Sequence, residues 1–383
     1  MITIQVPPAL KTSLDRGHPW VYRDQIRGAP DVASGSWVRV HCGSFSAFGL
    51  WDGDSPIAIR LFSRREVPNA DWVAGRVAEA WDVRAPVRSG ATTAYRWIYG
   101  ESDGLPGIVV DLYGEFAVVR SYTLSVAGVV PWVADALHAH QQLQGILWRQ
   151  PGGDPEPHWG RPPPRELVVE EHGLLFEADL LAGQKTGLYF DQRENRKLLA
   201  GWCQGRTVLD CFCYTGAFSL YAARAGAASI TACDGATAAI EAAQRNFALN
   251  HLNREQQTFL VEECFRLLDQ YAAEGRRFDV VIVDPPSLAQ DRARRHAAER
   301  AYVRLNRSAM RCVKPGGILA SASCTSQVSP TAFRRALAEA ARQAGRQLLV
   351  LREEGQPLDH PVPAHFPEAR YLKFVVGQVR DLR

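Results

Sequence analysis

From about residue 179 to the C-terminus, strand-like and helix-like stretches alternate regularly, and this alternation limits the fold more than any other feature of the chain. TVLDCFCY (207–214) has the character of a strand, FSLYAARAG of a helix, SITACD of a strand and ATAAIEAAQRNFALNH of a long helix. QQTFLVEE, FRLLDQYAAE, FDVVIVDPP, AYVRLNRSAMRCV and GGILASASC continue the series as strand, helix, buried strand, helix and strand. Strands separated by helices build a parallel, doubly wound α/β sheet. In such sheets ligands bind beyond the carboxyl ends of the strands, so the chemistry is expected there.

The strand ends carry a consistent chemistry. The first ends at Asp210, and its loop DCFCYTGAF offers one glycine, Gly216, before the next helix. A dinucleotide site needs GxGxxG so that a pyrophosphate can approach a helix N-terminus, and this loop lacks that pattern. S-adenosylmethionine has no phosphates and needs less clearance. Asp234 ends the second strand and is placed to accept hydrogen bonds from two ribose hydroxyls; Glu262 and Glu263 end the third and can meet an adenine amino group; Asp284-Pro285-Pro286 ends the fourth. An acidic residue at a strand end often only caps the following helix, but four in order around one glycine loop are harder to assign to capping.

Upstream, WVRV, AFGLW and IAIRLF alternate with turn residues in the manner of a small β-rich domain, expected over residues 1–68. Residues 69–178 mix helices (DWVAGRVAEAWDVR and the stretch near PWVADALHAHQQL) with strands (GIVVDLYG, FAVVRSY) and predict a central α+β domain. PGGDPEPHWGRPPPRE, from 151, reads as a loop or insertion because of its prolines and glycines. Residues 179–383 then form the doubly wound domain.

Of the 383 residues 46% are hydrophobic and 22% charged, ordinary for a globular protein. No apolar run approaches the roughly 18 residues that span a bilayer, and MITIQVPPALK lacks the basic start and long apolar stretch of a signal peptide, so a cytoplasmic protein is the expectation. Most of the eight cysteines fall inside regular elements, which predicts reduced thiols. Cys203, Cys211 and Cys213 lack a second CxxC-type pair or a nearby histidine, and no metal is expected. A formal charge of +3 neither requires nor opposes a polyanionic partner; RLFSRRE and DRARRHAAER concentrate arginine, as a solvated face also does.

GRTVLDCFCYTGAFSLYAARAG, FDVVIVDPPS, KTGLYFDQREN (185–195), VVEEHG, GESDGLPGIVVDLYG (100–114), RGHPWVYRDQI (16–26) and DHPV with FPEARYLK (359–373) together resemble bacterial ribosomal RNA large subunit methyltransferase I, in the same order along nearly the whole chain. The resemblance implies an N-terminal PUA domain that binds RNA, a central domain containing or bordering EEHG, and a C-terminal Rossmann-like domain that uses S-adenosylmethionine to make 5-methylcytosine in large-subunit (23S) ribosomal RNA. By position it places Asp210, Phe212, Tyr214 and Gly216 in the first cofactor motif and Asp234 at the ribose. Glu263 stands where relatives often have Asp, and the proline-rich stretch departs from typical members.

The same resemblance matches Cys324 to the family's catalytic cysteine, with SCT here in place of SCS. Cytosine C5 is a poor nucleophile, and a thiolate added to C6 makes it enamine-like. A buried cysteine that packs as a small hydrophobe is the competing assignment, accepted for the other seven. Asp284 is expected at the N3 or N4 edge of the base, with Pro285 and Pro286 stiffening the loop, and a base inside folded RNA must be extruded to reach them. Lys185, Tyr189, Asp191, Gln192 and Arg193 are expected to cover the cofactor or align the RNA backbone. Arg16, His18, Trp20 and Arg23 combine charge with aromatic surface suited to RNA, although Trp20 equally suits a core. A homodimer is compatible with all of this. Two alternatives stay open: an RNA base N-methyltransferase, suggested by Asp-Pro-Pro-Ser but lacking the aromatic ring after the prolines, and a non-catalytic RNA-binding ribosome assembly factor. A nicotinamide dehydrogenase is the weakest candidate, without phosphate-cradling glycines.

Overall fold

The computed structural model describes residues 1–28, 30–181, 188–252, 255–289 and 291–382, and the chain divides into two compact units. The first comprises Met1–Gly173, Ala178–Phe190 and Leu358–Ala369; the second comprises Leu174–Glu177, Asp191–Pro357 and Arg370–Arg383.

In the first unit, β1 (Thr3–Gln5), β2 (Trp20–Tyr22), β3 (Trp37–Cys42), β4 (Phe45–Trp51) and β5 (Ile57–Ser63) form a five-stranded sheet in the order β1-β3-β4-β5-β2, with the one-turn α1 (Lys11–Asp15) between its first two strands in sequence. The three segments expected as strands are β3, β4 and β5. A second five-stranded sheet follows, in the order β10-β9-β8-β7-β6, from β6 (Ala94–Tyr99), β7 (Ile108–Tyr113), β8 (Phe116–Ser121), β9 (Gly145–Arg149) and β10 (Pro155–Gly160). It is accompanied by α2 (Ala70–Val83), the short α3 (Ala85–Arg88) and α4 (Val130–His140). Asn69 caps α2 by accepting from the Trp72 amide at 2.9 Å, and Val73, Val77 and Ala80, spaced three and four apart, face the sheet's apolar core.

The proline-rich stretch is not all loop: β10 pairs antiparallel with β9 at the edge of the sheet. An edge strand tolerates proline because one side of its backbone needs no partner. The register breaks between Pro157 and Trp159, and Trp159 stacks on His138 of α4 with ring centres 3.9 Å apart.

Residues 358–369 return to this unit from far along the chain. Arg84 donates to Asp359 O at 3.0 Å, the Arg96 amide donates to Asp359 Oδ2 at 2.9 Å, and Tyr99 Oη donates to Ala369 O at 2.7 Å. β11 (Leu167–Glu171) and β12 (Leu174–Ala178) lie in sequence where the first unit gives way to the second.

The second unit is a seven-stranded sheet with the order β15-β14-β13-β16-β17-β19-β18. Its strands are β13 (Thr207–Cys211), β14 (Ser229–Asp234), β15 (Gln257–Val261), β16 (Phe278–Val283), β17 (Val313–Ser323), β18 (Arg346–Glu354) and β19 (Lys373–Asp381). The first five are parallel, as the alternation of strands and helices predicts, while β19 runs antiparallel to both β17 and β18. The helices α5 (Arg193–Ala200), α6 (Ala217–Arg224), α7 (Thr237–Leu249), α8 (Cys264–Glu274), α9 (Arg295–Arg311) and α10 (Pro330–Ala344) complete the unit. β16 is apolar almost throughout because a central parallel strand is covered on both faces. Order reverses at β13, which lies between β14 and β16, so the loops after β13 and β16 flank the switch point where open sheets bind ligands. Among the described residues no helix is long and apolar enough to cross a membrane.

Candidate active site

The loop leaving β13 is held in an unusual conformation. Phe212 and Tyr214 have φ of 63° and 49°, in the left-handed region that non-glycine residues avoid. Such residues each cost of order 1–3 kcal/mol and persist where surroundings over-determine them. Here the Phe212 amide points at Cys264 Sγ (3.1 Å), the Cys213 amide donates to Cys233 O (3.0 Å), the Tyr214 amide donates to Asp234 Oδ2 (3.0 Å), and Asn246 Nδ2 holds Thr215 O (2.9 Å). Gly216 follows at φ 76°, and a Cβ there would lie 2.9 Å from that of Ala243, so the loop can pass α7 only as glycine.

Asp210 lies beneath this loop, 1% exposed. Its Oδ2 accepts from Ser219 N (3.1 Å) and Ser219 Oγ (2.7 Å), while its Oδ1 has no hydrogen-bond partner among the described residues. Burial pushes the carboxyl up to about 7 against the two bonds from Ser219, with Asp234 adding like charge. An orphaned buried acceptor under a strained loop fits a ligand that brings its own donors. Asp234 has Oδ2 on Tyr214 N and Oδ1 on Ala236 N (3.0 Å), so it braces the loop.

Glu263, expected at the adenine, has another task. Its two carboxylate oxygens accept from the amides of Phe265 (3.0 Å) and Arg266 (2.8 Å), making it the N-cap of α8. Glu262 pairs with Arg266. Capping therefore accounts for the third strand's acidic end.

Past β16, Asp284 is partly exposed at one edge and otherwise enclosed. Burial pushes its carboxyl up to about 7, with the like charges of Asp191 and Asp210 acting the same way and Gln192 and Arg196 opposing. Gln192 Nε2 donates to Asp284 Oδ2 at 3.0 Å, and Asn195 Nδ2 fixes the amide by donating to Gln192 Oε1 at 2.6 Å. Asp191 accepts from Tyr371 Oη. These contacts bring Asp191, Gln192 and Asp284 together within the second unit; Tyr189 belongs to the first.

Cys324 is the first residue beyond β17. The other seven cysteines are buried, whereas Cys324 is partly exposed, with Sγ 3.9 Å from Pro285 O. The residue after it is locked in place. Thr325 is 0% exposed, its Oγ1 bonded to Tyr302 Oη (2.9 Å) and accepting from the Leu288 amide (3.0 Å). Two neighbouring strand ends thus set a thiol beside the Asp284-Pro285 turn. Lys373, the last residue of FPEARYLK, to which the sequence assigns no role of its own, donates to Thr325 O from the start of β19.

The expected RNA-contacting residues separate into different surroundings. Arg193 is 1% exposed and cannot meet a polyanion from that position, so its assignment to RNA is corrected: it is an interior residue at the start of α5. Arg23 donates to the backbone carbonyls of Ser55 and Asp52 and tethers a loop. Trp20 packs edge-on against Phe366 (ring centres 4.7 Å apart) and donates to Glu101 at 2.8 Å, with His18 in the same aromatic cluster. Arg16 is exposed, and Lys185 lies outside the described residues. No group of three or more His, Cys, Asp or Glu suited to a metal occurs among the described residues.

Residues 118–370 match the family model of S-adenosylmethionine-dependent methyltransferases, and residues 4–64 that of the PUA-like domain. The ribosomal RNA large subunit methyltransferase I of Shewanella amazonensis is 38% identical, the match covering 99% of each chain. Its counterpart from Pseudoalteromonas translucida is 32% identical over 96% of each. Among solved structures, a protein from Streptococcus mutans described as a SAM-dependent methyltransferase superposes with a TM-score of 0.88 over 99% of this chain and 100% of its own, at 22% identity. A second solved structure, complexed with SAH, superposes at 0.89, also at 22% identity and with the same coverage. At that identity the likeness is one of fold.

Proposed function

Because the chain belongs to the ribosomal RNA large subunit methyltransferase I family of S-adenosylmethionine-dependent methyltransferases, we propose that it methylates C5 of a cytosine in large-subunit ribosomal RNA, with Cys324 as the nucleophile. The observation that carries this reading is the setting of Cys324: the one partly exposed cysteine among the described residues, with its sulfur against the Pro285 carbonyl of the Asp284-Pro285 turn.

S-adenosylmethionine, when bound, supplies an electrophilic methyl group on a positively charged sulfur. Asp210, with its orphaned Oδ1, the backbone of Phe212 and Tyr214, and Asp234 are the groups that would hold it, and Gly216 keeps the loop close to α7.

The Cys324 thiolate adds to C6 of the flipped cytosine, and the C5–C6 π electrons become available at C5. Asp284, with a carboxyl raised to about 7, holds a proton near neutral pH and can share it with N3 as negative charge develops on the ring. Gln192, fixed by Asn195, aims that carboxyl. Once C5 is methylated, its proton passes to water, the C5–H electrons re-form the C5–C6 double bond, the C6–S pair leaves on sulfur as the thiolate, and N3 returns its proton to Asp284. Ser287, at the position after the prolines, directs its hydroxyl to Ala289 O at 3.0 Å and offers no ring to stack on a base, which favours C5 over an amino-group acceptor.

Arg16, with the aromatic cluster of His18 and Trp20 beside it, is the part of the PUA-like segment best suited to the RNA backbone. A ribosomal RNA substrate is consistent with an enzyme that works in the cytoplasm. Nucleoside mass spectrometry of ribosomal RNA incubated with enzyme and S-adenosylmethionine tests the reading: 5-methylcytosine is expected with the wild-type protein and none with C324A. Undiminished product from C324A would overturn it.

A further inference from the structure

Lys373 opens β19 opposite Ser323, the last residue of β17 and the neighbour of Cys324. It is 6% exposed, and its Nζ donates to Thr325 O at 2.7 Å and Tyr371 O at 2.8 Å. Both acceptors are neutral carbonyls, and no carboxylate pairs with this ammonium among the described residues. A buried charge without an opposite charge is unfavourable, and it favours the appearance of an anion close by. Burial lowers the ammonium to about 8, and the charge of Cys324 acts on it in the opposite direction.

We propose that Lys373 is the fixed cation that holds Cys324 as a thiolate; this rests on the reading of Cys324 as the nucleophile. The S–H bond breaks heterolytically, the electron pair stays on sulfur, the proton passes to water, and Lys373, charged below about pH 8, keeps its three protons there. Two carbonyls, that of Thr325 beyond β17 and that of Tyr371 before β19, hold the ammonium at the residue that follows the sulfur. Among the described residues, further charged or titratable groups around the pair include Asp284 after β16, Asp191 just before α5, Arg196 on α5, Tyr302 on α9 and Tyr371 before β19. Asp284 and Asp191 oppose a thiolate when ionised, and the raised carboxyl of Asp284 lessens that opposition near neutral pH. Tyr302 is pushed up to about 12 by burial and stays neutral. Lys373 is the cation bonded to the backbone next to the sulfur, and it acts through Cys324 as a positioning residue.

Iodoacetamide alkylation of the full-length protein from pH 5 to 10, read by mass spectrometry of the peptide containing Cys324, tests this. Wild-type Cys324 is expected to react with a midpoint below about 8.5, the ordinary cysteine value. K373M should raise that midpoint by about one unit or more and slow alkylation about tenfold at pH 7, and K373R should restore it. A wild-type midpoint at or above the ordinary value overturns the proposal without recourse to any variant, and so does a K373M profile that matches wild type. Nucleoside analysis run alongside separates the two readings. A low midpoint without 5-methylcytosine removes the cytosine reaction and leaves the pairing standing, whereas 5-methylcytosine with an ordinary midpoint removes the pairing alone.

Discussion

Gln192 Nε2 donates to Asp284 Oδ2 across 3.0 Å, and the same amide is held from behind by Asn195. Gln192 thus fixes the carboxyl's orientation and lowers its affinity for a proton. In Q192L the Asp284 carboxyl should titrate higher still. If the protonated form is the active one, activity is lost as pH rises through that value, so the alkaline limb of the kcat/KM profile should move to higher pH while the plateau falls through poorer alignment. A pH–rate profile of both proteins checks this; an unshifted limb would separate Asp284 from proton transfer.

Asp210 binds a proton more tightly in the folded protein than in the unfolded chain, its carboxyl being raised from 3.8 to about 7 by burial. The native state therefore holds more protons between those values, and stability falls as pH rises through that window, by up to about 1.4 kcal/mol per pH unit. D210N removes the titration. Without S-adenosylmethionine, the Tm advantage of D210N over wild type should grow from pH 5 to pH 8, while its affinity for S-adenosylmethionine drops. A Tm difference that is flat with pH would contradict the assignment.

Gly216 combines φ 76° with a missing Cβ 2.9 Å from Ala243. G216A is expected to destabilise the protein by about 1–3 kcal/mol, from left-handed strain and overpacking together. Adding A243G should relieve the clash but not the strain. Urea denaturation of the single and double variants measures the division.

Arg16 and Arg193, both first considered for RNA, should behave differently. R16A should weaken RNA binding across sequences and reduce the salt dependence, log Kd against log salt, by about one phosphate contact. R193A should lower Tm, since it removes an interior side chain. Filter binding at several salt concentrations, with calorimetry, separates the two.

The parallel sheet was legible because its strands are covered on both faces, which writes FDVVIV and SITACD as apolar runs between amphipathic helices. β10 was hidden because proline reads as a break, and only its edge position, a tertiary fact, makes proline acceptable. The return of residues 358–369 to the first unit depends on bonds from Arg84, Arg96 and Tyr99, more than 250 positions away, which no local pattern encodes. Asp210, Asp234, Asp284 and Cys324 were visible because strand ends gather at one edge of a parallel sheet. Glu263 shared that signal, yet its carboxylate is satisfied by two amides of α8. Lys373 was missed because a lysine at a strand start ordinarily reaches solvent along its stem, and here antiparallel pairing with β17 folds it inward.

Trapping on 5-fluorocytosine tests the central claim most directly. Fluorine at C5 cannot leave as a proton does, so the C6–S bond cannot be broken after methylation. With S-adenosylmethionine and 5-fluorocytidine-substituted large-subunit ribosomal RNA, peptide mass spectrometry should find a methylated nucleotide attached to Cys324 within SASCTSQVSP. Methylated RNA with no adduct, or an adduct on a different cysteine, would contradict the assignment of Cys324 as the nucleophile.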